Sequence, residues 1–374
     1  MEEEQKQHPA MRVWQTVRTY VPLVPRVLLS LTLLAAIVHI MSSLFTPFAD
    51  FINRSVAAAV RFLLAKVSNI LPFSIAETVL IALPALLVIL IVCAVFFARD
   101  KRGFWRFFSS ILAVLGTLYT LFVFTIGCGY HATSLDQLLS LDRVNVSKEE
   151  LYDTAEILLE ETNRLSAEFA RAEGASIMPY SVAEMNNRLL DAYEALGDEH
   201  AFLQTMSTRV KAVSLSDAMS YTHITGVYTY MTGEANLNVA FPDYTLPFTA
   251  AHELAHQRGI ARENEANFVA FLACIASDDP YIRYSGYFSM LEYVSSALYR
   301  ADPKLYEQLV GGYSREVRQE IIAYWDFYEK YEDSVVGEIS GAVNDAYLQI
   351  QGTEGTRSYG MVVDLAVAYY KNKT

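Results

Sequence analysis

Three stretches in the first third of the chain show no alternation of polar and apolar positions. Val27 to Phe45, Thr78 to Ala98 and Phe107 to Ile126 are apolar throughout, carry no formal charge, and are long enough to cross a bilayer as helices. Between the first two, Phe51 to Pro72 sets Arg54, Arg61 and Lys66 among apolar residues at amphipathic spacing. This predicts a helix that either lies at the membrane interface or packs as a linker on the following domain. From about residue 129 the pattern becomes that of a water-exposed domain. A charged helix is predicted from Ser147 to Ala172, with Ser147 and Glu150 at capping-box spacing, and a second from Ser181 to Leu196. Tyr221 to Phe241, rich in Thr, Tyr and Val with glycine breaks, reads as a small sheet. A short helix begins near Pro247 and stops at Gly259, and an apolar helix follows from about Arg262 to Ser277. Beyond Pro280, helices are predicted over Tyr281 to Tyr299, Arg315 to Tyr331, Val335 to Ile350 and Arg357 to Tyr369. The expected architecture is mainly α: a tail over 1–26, a membrane region over 27–128, and a domain over 129–374 with a small sheet and a helical second half.

Charge assigns sides to this arrangement. Arg12, Arg18 and Arg26 precede the first span, and Arg99, Lys101, Arg102 and Arg106 crowd the link between the second and third. Basic short loops stay cytoplasmic, so three spans send everything after Ile126 to the extracytoplasmic side of the cell membrane. The long polar stretch before Arg26, with no cleavage site after Phe45, argues against a removed signal peptide. Residues 130–374 hold 36 acidic against 18 basic residues, which leaves no basic stripe for nucleic acid; the bilayer is the expected partner. Cys93, Cys128 and Cys274 sit in apolar surroundings and read as small hydrophobes, with no disulfide framework and no Cys-type zinc site. His39, inside the first span, reads as a packed or interface-facing histidine.

The helix before Gly259 carries the candidate chemistry. His252, Glu253 and His256 spell H-E-x-x-H, and positions i and i+4 share one helix face, so both imidazoles can reach one metal ion while Glu253 points to a water beside it. Small and apolar neighbours (Ala250, Ala251, Leu254, Ala255) mark the helix as buried. A catalytic zinc needs a third protein ligand and an open position. Glu263 and Glu265 follow directly, but two residues subtend about 200° on a helix, so only one of them faces the ion.

E-N-E-A-N, residues 263–267, resembles the E-x-x-A-[DN] signature of gluzincin metallopeptidases. That resemblance implies Glu263 as the zinc ligand and Asn267 as a residue that supports a histidine ligand from behind without touching the ion, with Glu265 beside them. Only six residues separate His256 from Glu263, shorter than the familiar gluzincin gap; H-E-x-x-H-x-x-G is similar to the metzincin pattern, in which a glycine turn returns the chain quickly. The metzincin third position would be Arg262, which cannot ligate. The wider wording G-E-A-N-L-N, H-E-L-A-H-Q-R-G, E-N-E-A-N-F, Y-S-G-Y and the S-Y-G at Ser358 to Gly360 resembles the bacterial domain-of-unknown-function 3810 membrane-protein family. That family is grouped with zinc metallopeptidases by its motif, so the resemblance implies an α+β zincin-like metallopeptidase domain, one zinc ion and a peptide or protein substrate. Gluzincin-like peptidases place an edge strand beside the zinc helix, and Ala235 to Phe241 is the expected strand. Glu234, Asn236 and Asn238 belong either to the cleft wall or to ordinary turn and edge polarity. His223, or Tyr284 and Arg283 in R-Y-S-G-Y, are expected donors to a developing oxyanion. Two alternatives stand beside the peptidase: a non-catalytic sensor or scaffold that keeps the fold, and a zinc hydrolase of a non-peptide substrate.

Overall fold

The computed structural model describes residues 9–143 and 146–372; residues 1–8 of the expected tail, and the side chains of residues 9–14 (Arg12 among them), Thr356, Ser358 and Tyr359, lie outside what it describes. Within the tail, residues 9–20 form a helix, α1 (Pro9–Tyr20), and residues 23–26 already belong to the first span. Three helices are long and apolar enough to cross a membrane: α2 (Leu23–Leu44), α5 (Ile75–Phe97) and α6 (Lys101–Thr125). Their bounds fall within a few residues of the expected ones except at the start of α6. There Asp100 caps the helix by accepting from the Gly103 N–H, so the basic residues Lys101, Arg102 and Arg106 are drawn into the helix. α2 and α6 pack along each other, whereas α5 buries no residue. A helix apolar on every side and buried on none has lipid as its natural surroundings.

The segment between the first two spans forms α3 (Thr46–Arg54) and α4 (Val56–Ser68), and its amphipathicity runs inward. Arg61 is 1% exposed while Phe62, Leu63 and Val67 stand out. The Arg61 guanidinium donates to the Thr125 carbonyl (2.6 Å) and to the Asn53 side chain and carbonyl (2.9 and 2.8 Å). The segment thus buries Arg61 against α3 and the end of α6, while Arg54, Lys66 and apolar side chains alike face outward.

A short 3₁₀ turn (Gly127–His131) and α7 (Leu135–Leu138) lead into the domain, which is mainly helical. α8 (Lys148–Ser166) starts on the expected capping box, Ser147 with Glu150, but ends earlier than expected. There β1 (Arg171–Ala172) and β2 (Ala175–Ser176) form a hairpin whose tight turn uses positive φ at Glu173 and Gly174. α9 (Val182–Glu199) follows, and then the small sheet with the short α10 (Ser216–Ser220) between its strands. β3 (Lys211–Ala212), β4 (Gly226–Thr229) and β5 (Glu234–Leu237) lie in the order β3-β5-β4, with β5 parallel to β3 and antiparallel to β4. The expected edge strand is therefore the central one, and β3 and β4 are the edges. α11 (Thr245–Gln257) and α12 (Glu263–Ala276) are buried along nearly their whole length and form the middle of the core. α13 (Pro280–Ala301) packs on α12 and along α8. α14 (Pro303–Gly311), which periodicity did not separate, starts from the Asp302 cap. α15 (Arg315–Tyr328) and α16 (Val335–Ile350) follow, and the last expected helix is a 3₁₀ turn (Gly355–Met361) leading into α17 (Val362–Lys371).

Domain and membrane region share a core. Ala35 of α2, Ile52 of α3, Phe122 and Val123 of α6, and Tyr130 cluster with Ala261 from the loop between α11 and α12. Asp50 accepts from both the backbone N–H and the hydroxyl of Thr133 (2.9 and 2.6 Å), which fixes the 3₁₀ turn on α3.

Candidate metal centre

α11 is built from residues small enough to let it sit in the core, and that placement buries its polar triplet. His252, Glu253 and His256 are each under 10% exposed. Gly259 ends the helix at φ +95°, a left-handed conformation open to glycine, and four residues later α12 begins with Glu263. The turn is braced from the membrane side: Asn53 Nδ2 donates to the Gly259 carbonyl (3.1 Å), and the Arg61 guanidinium lies where a Cβ on Gly259 would fall.

This return brings His252, His256 and Glu263 together, with their ligand atoms within 4.8 Å of one another; among the described residues it is the group of His, Cys, Asp and Glu side chains arranged to hold an ion. His252 Nε2 and His256 Nε2 face each other at 2.9 Å, and Glu263 Oε2 lies 3.1 Å from the first and 3.4 Å from the second. His256 Nδ1 sits 2.7 Å from the Ile260 carbonyl, which can only accept, so the ring hydrogen is on Nδ1 and a neutral His256 presents a lone pair at Nε2. Glu263 Oε2 makes no hydrogen bond of acceptable geometry, and His252 Nδ1 has no partner. Three buried groups able to offer an electron pair to one point form a set that could hold a cation. Tetrahedral zinc with ligands at roughly 2.0–2.1 Å sets those ligands about 3.3 Å apart. The three separations bracket that value, so the residues present fit the ion.

The electrostatics separate the two carboxylates. Burial alone would lower His256, but the Glu263 carboxylate outweighs it and lifts the imidazole to about 9. Glu263 is held well below the ordinary carboxylate range: burial opposes ionisation, and the two imidazoles overcome it. Glu253 moves the opposite way, raised by burial despite the neighbouring histidines, with a backbone hydrogen bond from Tyr228 on β4 tempering the rise. β4 comes so close that a Cβ on Gly226 would lie 2.7 Å from Glu253 Oε1. The two carboxylates are thus pushed apart, Glu263 toward the anion and Glu253 toward the protonated form.

Two cavities of about 580 and 640 Å³ meet at this point, both lined by His223, Ile224, Gly226, His252, Glu253 and Asn344. His223 lines both, from the turn before β4 and not from the sheet, with φ +60° and Nε2 2.7 Å from the Tyr331 carbonyl. The other expected contacts lie elsewhere. Asn267 is buried beside the first cavity and engages Tyr293, not His252 Nδ1; the carbonyl of Ile260 is the group that orients a histidine. Glu265 points away from the ligands, accepting from the Leu135 N–H (3.0 Å) and from Arg262 (2.8 Å). Tyr284 is fully buried and donates to Glu320 (2.9 Å), while Arg283 pairs loosely with Glu161 (3.9 Å), so neither reaches the cleft.

The sheet polar residues are structural. Asn236 binds within the sheet, Asn238 donates to Ser220 and the Ile224 carbonyl, and Glu234 pairs with Lys211 at 2.6 Å while accepting from the N–H groups of Ile75 and Ala76. Burial would raise Glu234, but Lys211 and those N–H groups hold it below its usual range, where it caps the positive end of α5. The cleft residues that sequence reasoning missed come from α13 and α16. Glu292 lines the first cavity, and burial pushes its carboxyl to about 7; Tyr293 stands beside it, and Ser340, Asn344 and Tyr347 come from α16. No short-range signal marks them, since each sits in an ordinary helical pattern far along the chain.

Comparison with curated proteins and with solved structures returns no match. The family model described as "Protein of unknown function (DUF3810)" matches residues 53–367, from the end of α3 to the last helix of the domain, and the chain belongs to that family.

Proposed function

We propose that this protein is a membrane-anchored zinc metallopeptidase. The observation that carries the reading is the convergence of His252 Nε2, His256 Nε2 and Glu263 Oε2 with no hydrogen bond to satisfy the carboxylate oxygen, next to a buried Glu253 that is not part of the group. His252, His256 and Glu263 would hold the ion, which supplies Lewis acidity to water and to a carbonyl. Glu253 takes the proton of the attacking water and passes it to the leaving amine, a role that its burial-raised affinity for protons suits. Ile260 holds His256 in the tautomer that leaves Nε2 free to ligate. β4, the sheet edge beside Glu253, offers backbone for an extended substrate strand, with His223 at the cleft mouth. Two histidines and one carboxylate make a set suited to an open catalytic site more than to a closed structural one. The test is metal analysis of the purified full-length protein with cleavage of a peptide library before and after chelation. About one zinc per chain and chelator-sensitive cleavage are expected; stoichiometric zinc with no cleavage would make the protein a scaffold.

The same reading sets the catalytic domain outside the cytoplasm, because the basic residues gather at the ends of the spans away from the domain. A cysteine at the exposed Lys304 should then react with a membrane-impermeant maleimide on intact cells, and one at Lys101 only after permeabilisation. The reverse pattern would invert the topology.

A further inference from the structure

Beyond the metal centre lies a third cavity, of about 730 Å³, lined by His39, Ile40, Ser43, Tyr119, Tyr347 and Ile350 among others. Tyr347 also lines the cavity that contains His252, Glu253, His256 and Glu263, so one side chain forms a wall of both. Its hydroxyl lies 3.3 Å from that of Tyr130, and its ring packs edge-on against Phe122 of α6. His39 and Tyr119 belong to two of the membrane-spanning candidates and hydrogen-bond each other at 3.0 Å. They sit five and six residues short of the domain-side ends of α2 and α6, about 8 Å of helix rise into the span. Taking the domain-side ends of α2 and α6 as the edge of the hydrocarbon core, roughly 30 Å thick, sets the groove where acyl chains begin.

α16 connects the two levels. One of its faces presents Gly337, Ser340, Gly341, Asn344 and Tyr347 to the metal cleft. The adjoining face carries Val336, Ile339, Val343 and Ile350, all exposed, with Ile350 80% exposed at the end that meets α2. A row of exposed apolar residues that ends against a membrane span is continuous with the lipid-facing surface.

We propose that the cleft takes its substrate from the domain-side leaflet, and that the substrate is a lipid-anchored peptide: its aliphatic chain lies in the groove between α2, α6 and α16, and its peptide bond reaches past Tyr347 to Glu253. This rests on the metallopeptidase reading for its chemistry, but the groove stands on geometry of its own. An acyl chain fits it better than a transmembrane segment does. A helix drawn out of the bilayer into a cleft must break backbone hydrogen bonds at membrane depth, whereas an acyl chain carries no such groups.

The test uses full-length zinc-loaded protein with Glu253→Gln in phosphatidylethanolamine and phosphatidylglycerol vesicles. The probe is an N-palmitoylated octapeptide with a diazirine in the acyl chain, and the crosslinks are mapped by mass spectrometry. Label is expected on residues 39–43, 119 and 347–351. It should be competed by the palmitoylated peptide without diazirine and not by the unacylated one. Ile350→Glu, at an exposed position, should cut labelling roughly tenfold by setting a charge in the path of the chain, and Ser43→Trp should do the same by filling the groove. Label spread along α5, equal competition by the unacylated peptide, or stronger competition by a transmembrane peptide overturns the proposal. Groove labelling without cleavage of the probe by the wild-type protein keeps the lipid-anchored ligand and removes the peptidase chemistry; cleavage without groove labelling does the reverse.

Discussion

Glu253→Gln is expected to lower peptide hydrolysis by about 10²–10⁴-fold while leaving zinc content near one per chain. The two halves of that outcome come from different parts of the geometry. The metal group is His252, His256 and Glu263, and Glu253 is outside it, so the amide removes no ligand. Glutamine is nearly isosteric and its carbonyl can still accept from the Tyr228 N–H, so β4 keeps its place beside the helix. What disappears is a carboxylate able to take and return a proton. Steady-state cleavage and metal analysis on the same preparation decide the matter: retained turnover removes Glu253 as the base, and loss of zinc together with turnover makes it a support for the metal.

Gly259→Ala is expected to weaken zinc retention by roughly 10–100-fold, the range seen when supports of metal ligands are disturbed. The backbone there sits at φ +95°, which costs an L residue about 1–2 kcal/mol, and the new methyl would overlap the Arg61 guanidinium, adding about 1–3 kcal/mol of overpacking. Both strains fall on the turn that sets Glu263 against the two histidines and carries the Ile260 carbonyl to His256. Adding Arg61→Ala should relieve the overlap but not the φ penalty, and should remove donors to Thr125 and Asn53. Chelator competition on the single and double variants reads the effect. Unchanged zinc affinity in a folded Gly259→Ala protein would show that the turn is not what positions the third ligand.

The parts of this architecture legible in the sequence are those specified locally. An uncharged apolar run announces a span, Ser147 with Glu150 announces a helix start, and His252 with His256 on one face announces a paired donor, because each depends on residues within two turns of one another. Glu263 over Glu265 followed from helix geometry and the resemblance together, and the structure places Glu263 against the imidazoles and Glu265 against Leu135. What sequence could not give depends on distant pairing. β3 is two residues long, too short to show any period, yet it puts β5 in the middle of the sheet and turns Glu234, Asn236 and Asn238 into internal ties. Tyr284 looked available until Glu320, 36 residues on, closed over it. Arg61 read only as part of an amphipathic segment, either interfacial or packed on the domain. Its real partners are 8 and 64 residues away, and its apolar neighbours Phe62 and Leu63 face outward.

The shared core of membrane helices and domain bears on what the smallest working unit can be. A fragment begun at residue 129 would shed α3 and α4, and with them Asn53 and Arg61, the two side chains that prop the Gly259 turn. It would also present Ala261 and Tyr130 to water where Ile52 and Phe122 now cover them. The membrane region is in that sense a chaperoning half of the candidate metal centre, built into the same chain. Detergent or lipid that loosens α3 and α4 from the domain should disturb the His252, His256 and Glu263 group without touching any of the three.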